Sequence, residues 1–228
     1  MSVQPAYVAL LERSLWLAPD GAELAPRLLQ AGRLIHRDAG AWVHGEGDLA
    51  GGLLVVLEGT LDLFCHGIGE RQVRIGQLGA GAAIGQSVRL GGGPRLVTAV
   101  AGAPSVILVV PDQALSQIAL HQPQIWRAVA TLLYGQLRYA LQAQADLLTL
   151  PPLQRIAARL VEASRVHPVD DWLRLSQQAL GEMTGLTRKT TNRVLKQLTD
   201  QGVLALGYRQ IVVRDADKLL DIARRQTG

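Results

Sequence analysis

Arg188, Lys189, Asn192, Arg193 and Lys196 stand at i, i+1, i+4, i+5 and i+8 of one segment, RKTTNRVLKQL. On a helix this spacing gathers four cations and one amide into a single stripe and leaves Val194, Leu195 and Leu198 to face inward. Such a stripe has the chemistry to read base edges in a major groove. Arg and Lys donate to guanine O6 and N7, and Asn pairs with adenine N6 and N7. The hydroxyls of Ser176, Thr187 and Thr190 suit phosphate oxygens, and the amide of Gln177 stands beside them.

A stripe of this kind needs a scaffold, and the flanking residues spell one. Ser176 predicts an N-cap for a helix SQQALGEM, Gly185 a tight turn, and Thr187 the cap of the second helix. VLALGYRQIVV then predicts a hairpin turning at Gly207-Tyr208, with Arg209 placed for a phosphate. Cap, turn, stripe and hairpin in this order predict a winged helix-turn-helix.

A second chemical feature is GAGAAIGQSVRLGGGPR, from Gly79 to Arg95, in which six glycines precede Arg95. It reads as a loop that cradles an anion. An ion pair from Arg95 to Glu46, Asp48 or Glu58 is the alternative role for that arginine. GAGAAIG also approximates a dinucleotide fingerprint, but only QSVRL follows before Gly91-Gly92-Gly93-Pro94, which is too little for the required helix. No acidic residue between Glu70 and Asp112 is available to hold a ribose hydroxyl. His36, His44, His66 and Cys65 invite a haem or metal site, yet none has ligand spacing. A single cysteine excludes an internal disulfide and an all-cysteine cluster within one chain. No Ser/His/Asp or paired-carboxylate arrangement stands out, so the chain is not expected to be an enzyme and no metal site is expected.

Charge separates the two features. Ten arginines, no lysine and eleven acidic residues leave residues 1–150 at −1; thirteen Lys and Arg against eight acidic residues leave 151–228 at +5. A near-neutral front and a basic tail place a polyanion partner at the tail. Residues 5–32 predict short helices stopped by Gly32. From Leu34 to Pro111, short apolar runs such as LLVVL, LDLFC, LVTAV and SVILVV alternate with glycine-rich turns, which predicts an all-β roll. From Gln122 to Thr149, apolar residues recur three or four apart. A helix that long, about 40 Å at 1.5 Å per residue, exceeds what a small roll can cover, so Ile125, Val129, Leu132, Leu133, Leu137 and Leu141 are expected to face a second copy of the chain. Pro151-Pro152 ends the helix. The expected boundaries are therefore 1–110 for the roll with its N-terminal helices, 111–150 for the dimerisation helix and 151–228 for the winged helix. Glu12 and Arg13 stand where a signal peptide would be apolar, and no run approaches a membrane span, so a cytoplasmic protein is expected.

From about Leu34 to Arg214 the chain resembles the cyclic-AMP-receptor/FNR (CRP/FNR) family of transcription regulators. GLTRKTTNRVLKQL is similar to the family's recognition helix, LPPLQRIAARL to its hinge, and VVLEGTLDLF to the glycine-marked strand pair of its sensor. The resemblance implies an α+β fold: an N-terminal β-roll of cyclic-nucleotide-binding, jelly-roll type, a long dimerisation helix and a C-terminal winged helix-turn-helix. It implies a homodimer on a palindromic operator, with RNA polymerase as a further partner of an activator. It also implies that Arg188 and Arg193 read guanine. Lys189 stands where the family commonly has Glu, a donor in place of an acceptor for cytosine N4, so the operator should differ at that base pair. The effector pocket implied by the resemblance holds Gly85, Gln86, Ser87, Arg95, Leu96, Leu137, Ala140 and Leu141. Gly85 and Arg95 match the phosphate cassette. Gln86 replaces its Glu, Leu96 its Ser or Thr, and Ala140 and Leu141 stand where binders of cyclic AMP have hydroxyls. These departures argue against ordinary cyclic-AMP binding. A more apolar ligand, another nucleotide or no ligand stay open, as do a ligand-independent DNA binder and a haem-based gas sensor; no cofactor is assigned.

Overall fold

A computed structural model of the chain describes residues 4–49, 51–67, 69, 71–85, 93–164, 172–173, 175–207 and 210–225. Gln86, Ser87 and Arg209 lie outside these residues. The chain divides into two compact units, residues 1–65 with 77–138 and residues 66–76 with 139–228.

An antiparallel β-roll makes up most of the first unit, while residues 66–76, at the edge formed by the roll's fourth and fifth strands, are grouped with the second. The roll's strands are β1 (Arg33–Arg37), β2 (Trp42–His44), β3 (Leu53–Glu58), β4 (Leu61–His66), β5 (Gln72–Leu78), β6 (Ala83–Ile84), β7 (Thr98–Ala101) and β8 (Ser105–Val110), in sheets of order β1-β8-β3-β6 and β2-β7-β4-β5. Helices α1 (Pro5–Glu12), α2 (Gly21–Ala31), α3 (Asp112–His121) and the first half of α4 (Gln124–Thr149) pack on it. The central strands read as unbroken apolar runs because both faces are covered. Leu53, Val55 and Leu57 of β3 join Val106, Leu108 and Val110 of β8 in a core shared with the helices. The alternate residues Leu54 and Val56 join Leu61, Ala101 and Ile107 in a second core. Side chains alternate faces along a strand, so each run serves two layers.

LLVVLEGTLDLFC is strand, turn, strand as expected, but the turn is not a hairpin. β3 and β4 belong to different sheets, and so do β7 and β8. The two corners are tied together: Thr60 N donates to Ser105 Oγ at 3.1 Å, and Gly102 N to Thr60 O at 2.9 Å.

The second unit has its own core, built from α5 (Pro152–Ser164), α6 (Gln177–Thr184), α7 (Arg188–Asp200), α8 (Ala216–Arg224) and the sheet β10-β11-β9, whose strands are β9 (Trp172–Leu173), β10 (Leu204–Gly207) and β11 (Gln210–Val213). Ile156, Leu160, Leu180, Leu195, Leu198 and Leu219 are all wholly buried there. Arg155 Nη2 donates to Leu150 O at 2.8 Å and Nη1 to Thr184 O at 3.1 Å. One guanidinium therefore bridges the C-terminal ends of α4 and α6. Arg159 lies 5.0 Å from the Tyr139 ring centroid and hydrogen-bonds its hydroxyl.

The single stripe expected on α4 separates into two sets. Ile125, Val129 and Leu132, expected at a dimer interface, are buried by their own chain at 0%, 1% and 8% exposure, and Ile125 and Leu132 belong to the first unit's core. They offer no surface to a second copy. Leu133, Leu137 and Leu141 are exposed, and so are Tyr134 and Leu148, which the expected interface did not include. The cause is geometric. Steps of four residues overshoot a turn by about 40° each, so the later leucines drift off the face that Ile125 buries. No helix among the described residues is long and apolar enough to cross a membrane.

Candidate nucleic-acid interface and anion subsite

The helix-turn-helix is held by three local devices. Ser176 Oγ accepts from Ala179 N at 3.0 Å and caps α6. Gly185 closes α6 at φ 64°, ψ 28°, a left-handed conformation that costs a residue with a Cβ about 1 kcal/mol or more. Thr187 Oγ1 accepts from Thr190 N at 3.2 Å and caps α7, and the two threonine hydroxyls lie 3.0 Å apart. At Gly181 a Cβ would stand 3.0 Å from Thr191 Oγ1 and 3.1 Å from Leu186 O, so a larger residue would press α6 away from α7.

These devices divide α7 into two faces. Thr191, Val194, Leu195 and Leu198 are buried, while Arg188, Lys189, Asn192, Arg193 and Lys196 are exposed. At 100° per residue the five exposed side chains span an arc of about 140°. None of the four cations makes an ion pair with another described residue. Burial of one face and solvation of the other thus leave a positive, donor-rich stripe unneutralised, at the N-terminal end of a helix whose dipole also favours anions. β10 and β11 pair antiparallel from Leu204↔Val213 to Gly207↔Gln210, forming the wing.

In the first unit the structure brings Gly85 and Arg95 together. Arg95 is only 5% exposed. Its Nη2 donates to Gly52 O at 3.3 Å, while Nε and Nη1 have no hydrogen-bond partner among the described residues. No ion pair joins it to Glu46, Asp48 or Glu58 among the described residues; Glu58 instead accepts from Tyr7 Oη at 2.6 Å. Burial pushes the Arg95 pKa down, opposed by the charges of Asp48 and Asp112. Gly85 sits at φ 100°, and a Cβ there would collide with Arg95 Nη1. The glycine is therefore part of the cradle. Leu96 does not line it: the chain buries Arg95 and turns its neighbour outward, 71% exposed. Leu137, Ala140 and Leu141 are exposed on α4.

Sequence reasoning missed two neighbours of this cradle. Gly52 supplies the carbonyl that Arg95 holds. His44, marked in the sequence only as a histidine without ligand spacing, is 5% exposed and neither ring nitrogen makes a hydrogen bond of good geometry to a described residue. Burial first, then the positive charge of Arg95, pull its pKa from 6.5 to about 4, with Asp48 and the backbone of Gly45 and Val97 opposing. The folded ring thus resists a proton that the unfolded chain accepts. Its stabilising effect is complete above pH 6.5 and is lost as pH falls toward 4. The loss is at most about 1.4 kcal/mol per pH unit. Denaturant unfolding of His44→Leu against the parent chain across this window should show the parent losing stability more steeply; equal slopes would refute the assignment. His36 and His66 are exposed on β1 and β4, and no group of three metal-ligating side chains occurs among the described residues.

A β-roll with a buried cation, a long helix and a winged helix-turn-helix with an exposed donor stripe define a DNA-binding transcription regulator that carries a cyclic nucleotide-binding type of domain. Residues 34–122 match the cyclic nucleotide-binding domain and residues 154–222 the Crp-like helix-turn-helix domain. The cyclic AMP receptor protein of Thermus thermophilus is 29% identical over 208 residues, 91% of this chain and 94% of that protein. The structure of FixK2 from Bradyrhizobium japonicum shares the fold with a TM-score of 0.76 at 24% identity, over 86% of this chain and 99% of that one. The c-di-GMP responsive regulator CLP of Xanthomonas campestris does so with a TM-score of 0.64 at 23% identity, over 83% and 97%. The chain belongs to the CRP/FNR family of transcription regulators.

Proposed function

We propose that this regulator works as a homodimer that sets α7 of each protomer in a major groove of a palindromic operator, with half-sites about 34 Å apart. The observation that carries the reading is the division of α7, with Thr191, Val194, Leu195 and Leu198 buried and Arg188, Lys189, Asn192, Arg193 and Lys196 exposed without ion pairs to described residues. Arg188 and Arg193 read guanine, and Ser176, Gln177, Thr187, Thr190 and Arg209 hold phosphates. Leu133, Leu137 and Leu141 carry the dimer contact. Residues 1–110 form the sensor, 111–150 the dimerisation helix and 151–228 the DNA-binding domain. RNA polymerase is the further partner where the output is activation. The site of action is the cytoplasm, and no catalysis is assigned.

The roll takes an anionic effector on Arg95 within the cradle of Gly85, and that effector is not cyclic AMP. Arg95 keeps two unpartnered donors among the described residues, which supports an anion. Gln86 in place of a carboxylate, Leu96 turned outward and the apolar Ala140 and Leu141 remove the groups that would hold the ribose hydroxyl, a second phosphate contact and the base edge. Fluorescence anisotropy on a selected duplex, at fixed salt with and without cyclic AMP, tests this. The expected affinity with cyclic AMP stays within about twofold. A rise of tenfold or more, about 1.4 kcal/mol of coupling, would overturn it. Cyclic di-GMP, to which the Xanthomonas regulator is responsive, is the second probe. Tight binding that neither nucleotide changes, together with no change on Arg95→Ala, would make the roll a dimer scaffold without an effector.

A further inference from the structure

The exposed arc of α7 is made almost wholly of donors. Lysine and arginine carry no acceptor. Of the two threonines of the first turn, Thr191 is buried and Thr190 is half-buried, with its hydroxyl 3.0 Å from that of Thr187. Of the five side chains on the arc Asn192 alone bears an acceptor; it is exposed and its amide has no hydrogen bond to another described residue, so it is free to meet a base. The first carboxylate on the arc is Asp200, at the last residue of the helix, about 16 Å along the axis from Lys189 at 1.5 Å per residue.

The four base pairs present different edges to such an arc. Guanine offers two acceptors, N7 and O6; thymine offers O4; adenine offers N7 beside the N6 donor; cytosine offers only the N4 donor. An ammonium directed at cytosine N4 sets donor against donor and gains nothing for its lost hydration. We infer that α7 specifies its half-site through acceptors: guanine or thymine on the strand that Lys189 faces, adenine at the pair that Asn192 faces, and no position defined by a cytosine amino group. This rests on α7 being the recognition helix and goes beyond it by assigning the bases.

The test is selection of duplexes from a library randomised over a palindromic site, for the full-length protein, Lys189→Glu and Asn192→Ala in parallel. Both substitutions lie on the solvated face, and circular dichroism melting confirms that the variants stay folded. The parent protein should enrich guanine or thymine at one symmetric position and adenine at another. Lys189→Glu should convert the first position to cytosine, with about a tenfold or greater switch in preference, and leave the rest of the site unchanged. Asn192→Ala should lose the adenine preference alone. An unchanged consensus in Lys189→Glu, or cytosine already selected by the parent on that strand, would overturn the inference while leaving α7 as the recognition helix. If no site is enriched by any of the three proteins, the recognition-helix reading falls and takes the inference with it.

Discussion

Arg188→Ala combined with Arg193→Ala is expected to remove discrimination between a selected operator and a scrambled duplex while the protein stays folded and dimeric. Both guanidinium groups are on the exposed arc, free of ion pairs with other described residues. A bidentate contact to guanine discriminates by about 1–3 kcal/mol. Two contacts in each of two protomers account for most of the usual gap between specific and non-specific affinity, about 10³-fold or more. What should survive is weak, salt-sensitive binding through the phosphates, because counterion release does not depend on sequence. Competition binding at one salt concentration, with sedimentation to verify the dimer, measures both. Retained discrimination would mean that another element reads the bases.

The second large effect is expected on α4. Leu137→Asp with Leu141→Asp should split the dimer and, through that, weaken operator binding by about 10²-fold or more, since two linked half-sites gain an effective concentration that separate monomers lose. Leu137 and Leu141 are 57% and 58% exposed in the single chain, so the substitutions disturb no core of their own protomer. In a two-fold interface each change occurs twice on facing surfaces, and four carboxylates would replace apolar contact. Ile125→Asp, by contrast, should unfold the roll, because Ile125 is wholly buried in it. Analytical ultracentrifugation of the double variant decides the matter; a persistent dimer would place the interface elsewhere.

The winged helix was the most legible part of the sequence because its local chemistry is self-sufficient. Ser176, Gly185 and Thr187 each do in the structure what their residue type favours in isolation: two caps and one left-handed turn. The strands of the roll were legible as apolar runs, but their partners were not. Period-two patterning does not say that β3 and β4 join different sheets, or that Leu53 and Leu54 serve different cores. On α4, three- and four-residue spacing marked apolar residues without saying which cover the roll and which remain for another molecule, and only membership of the first unit's core separates the buried Ile125 from the exposed Leu137. Arg95 was visible as a cation after glycines, yet its burial, and with it the depressed pKa of His44, depends on contacts some forty to fifty residues apart in the chain, such as that with Gly52.

One measurement bears most directly on the claim that α7 reads DNA sequence. It is the equilibrium affinity of the unaltered protein for a palindrome selected from a random library, against a scrambled duplex of equal length, across a salt series. The selected site should bind about 10³-fold tighter or more, with both affinities falling as salt rises. Equal affinities at every salt concentration would contradict the claim, leaving the stripe of Arg188, Lys189, Asn192, Arg193 and Lys196 as a surface that attracts phosphates and reads no bases.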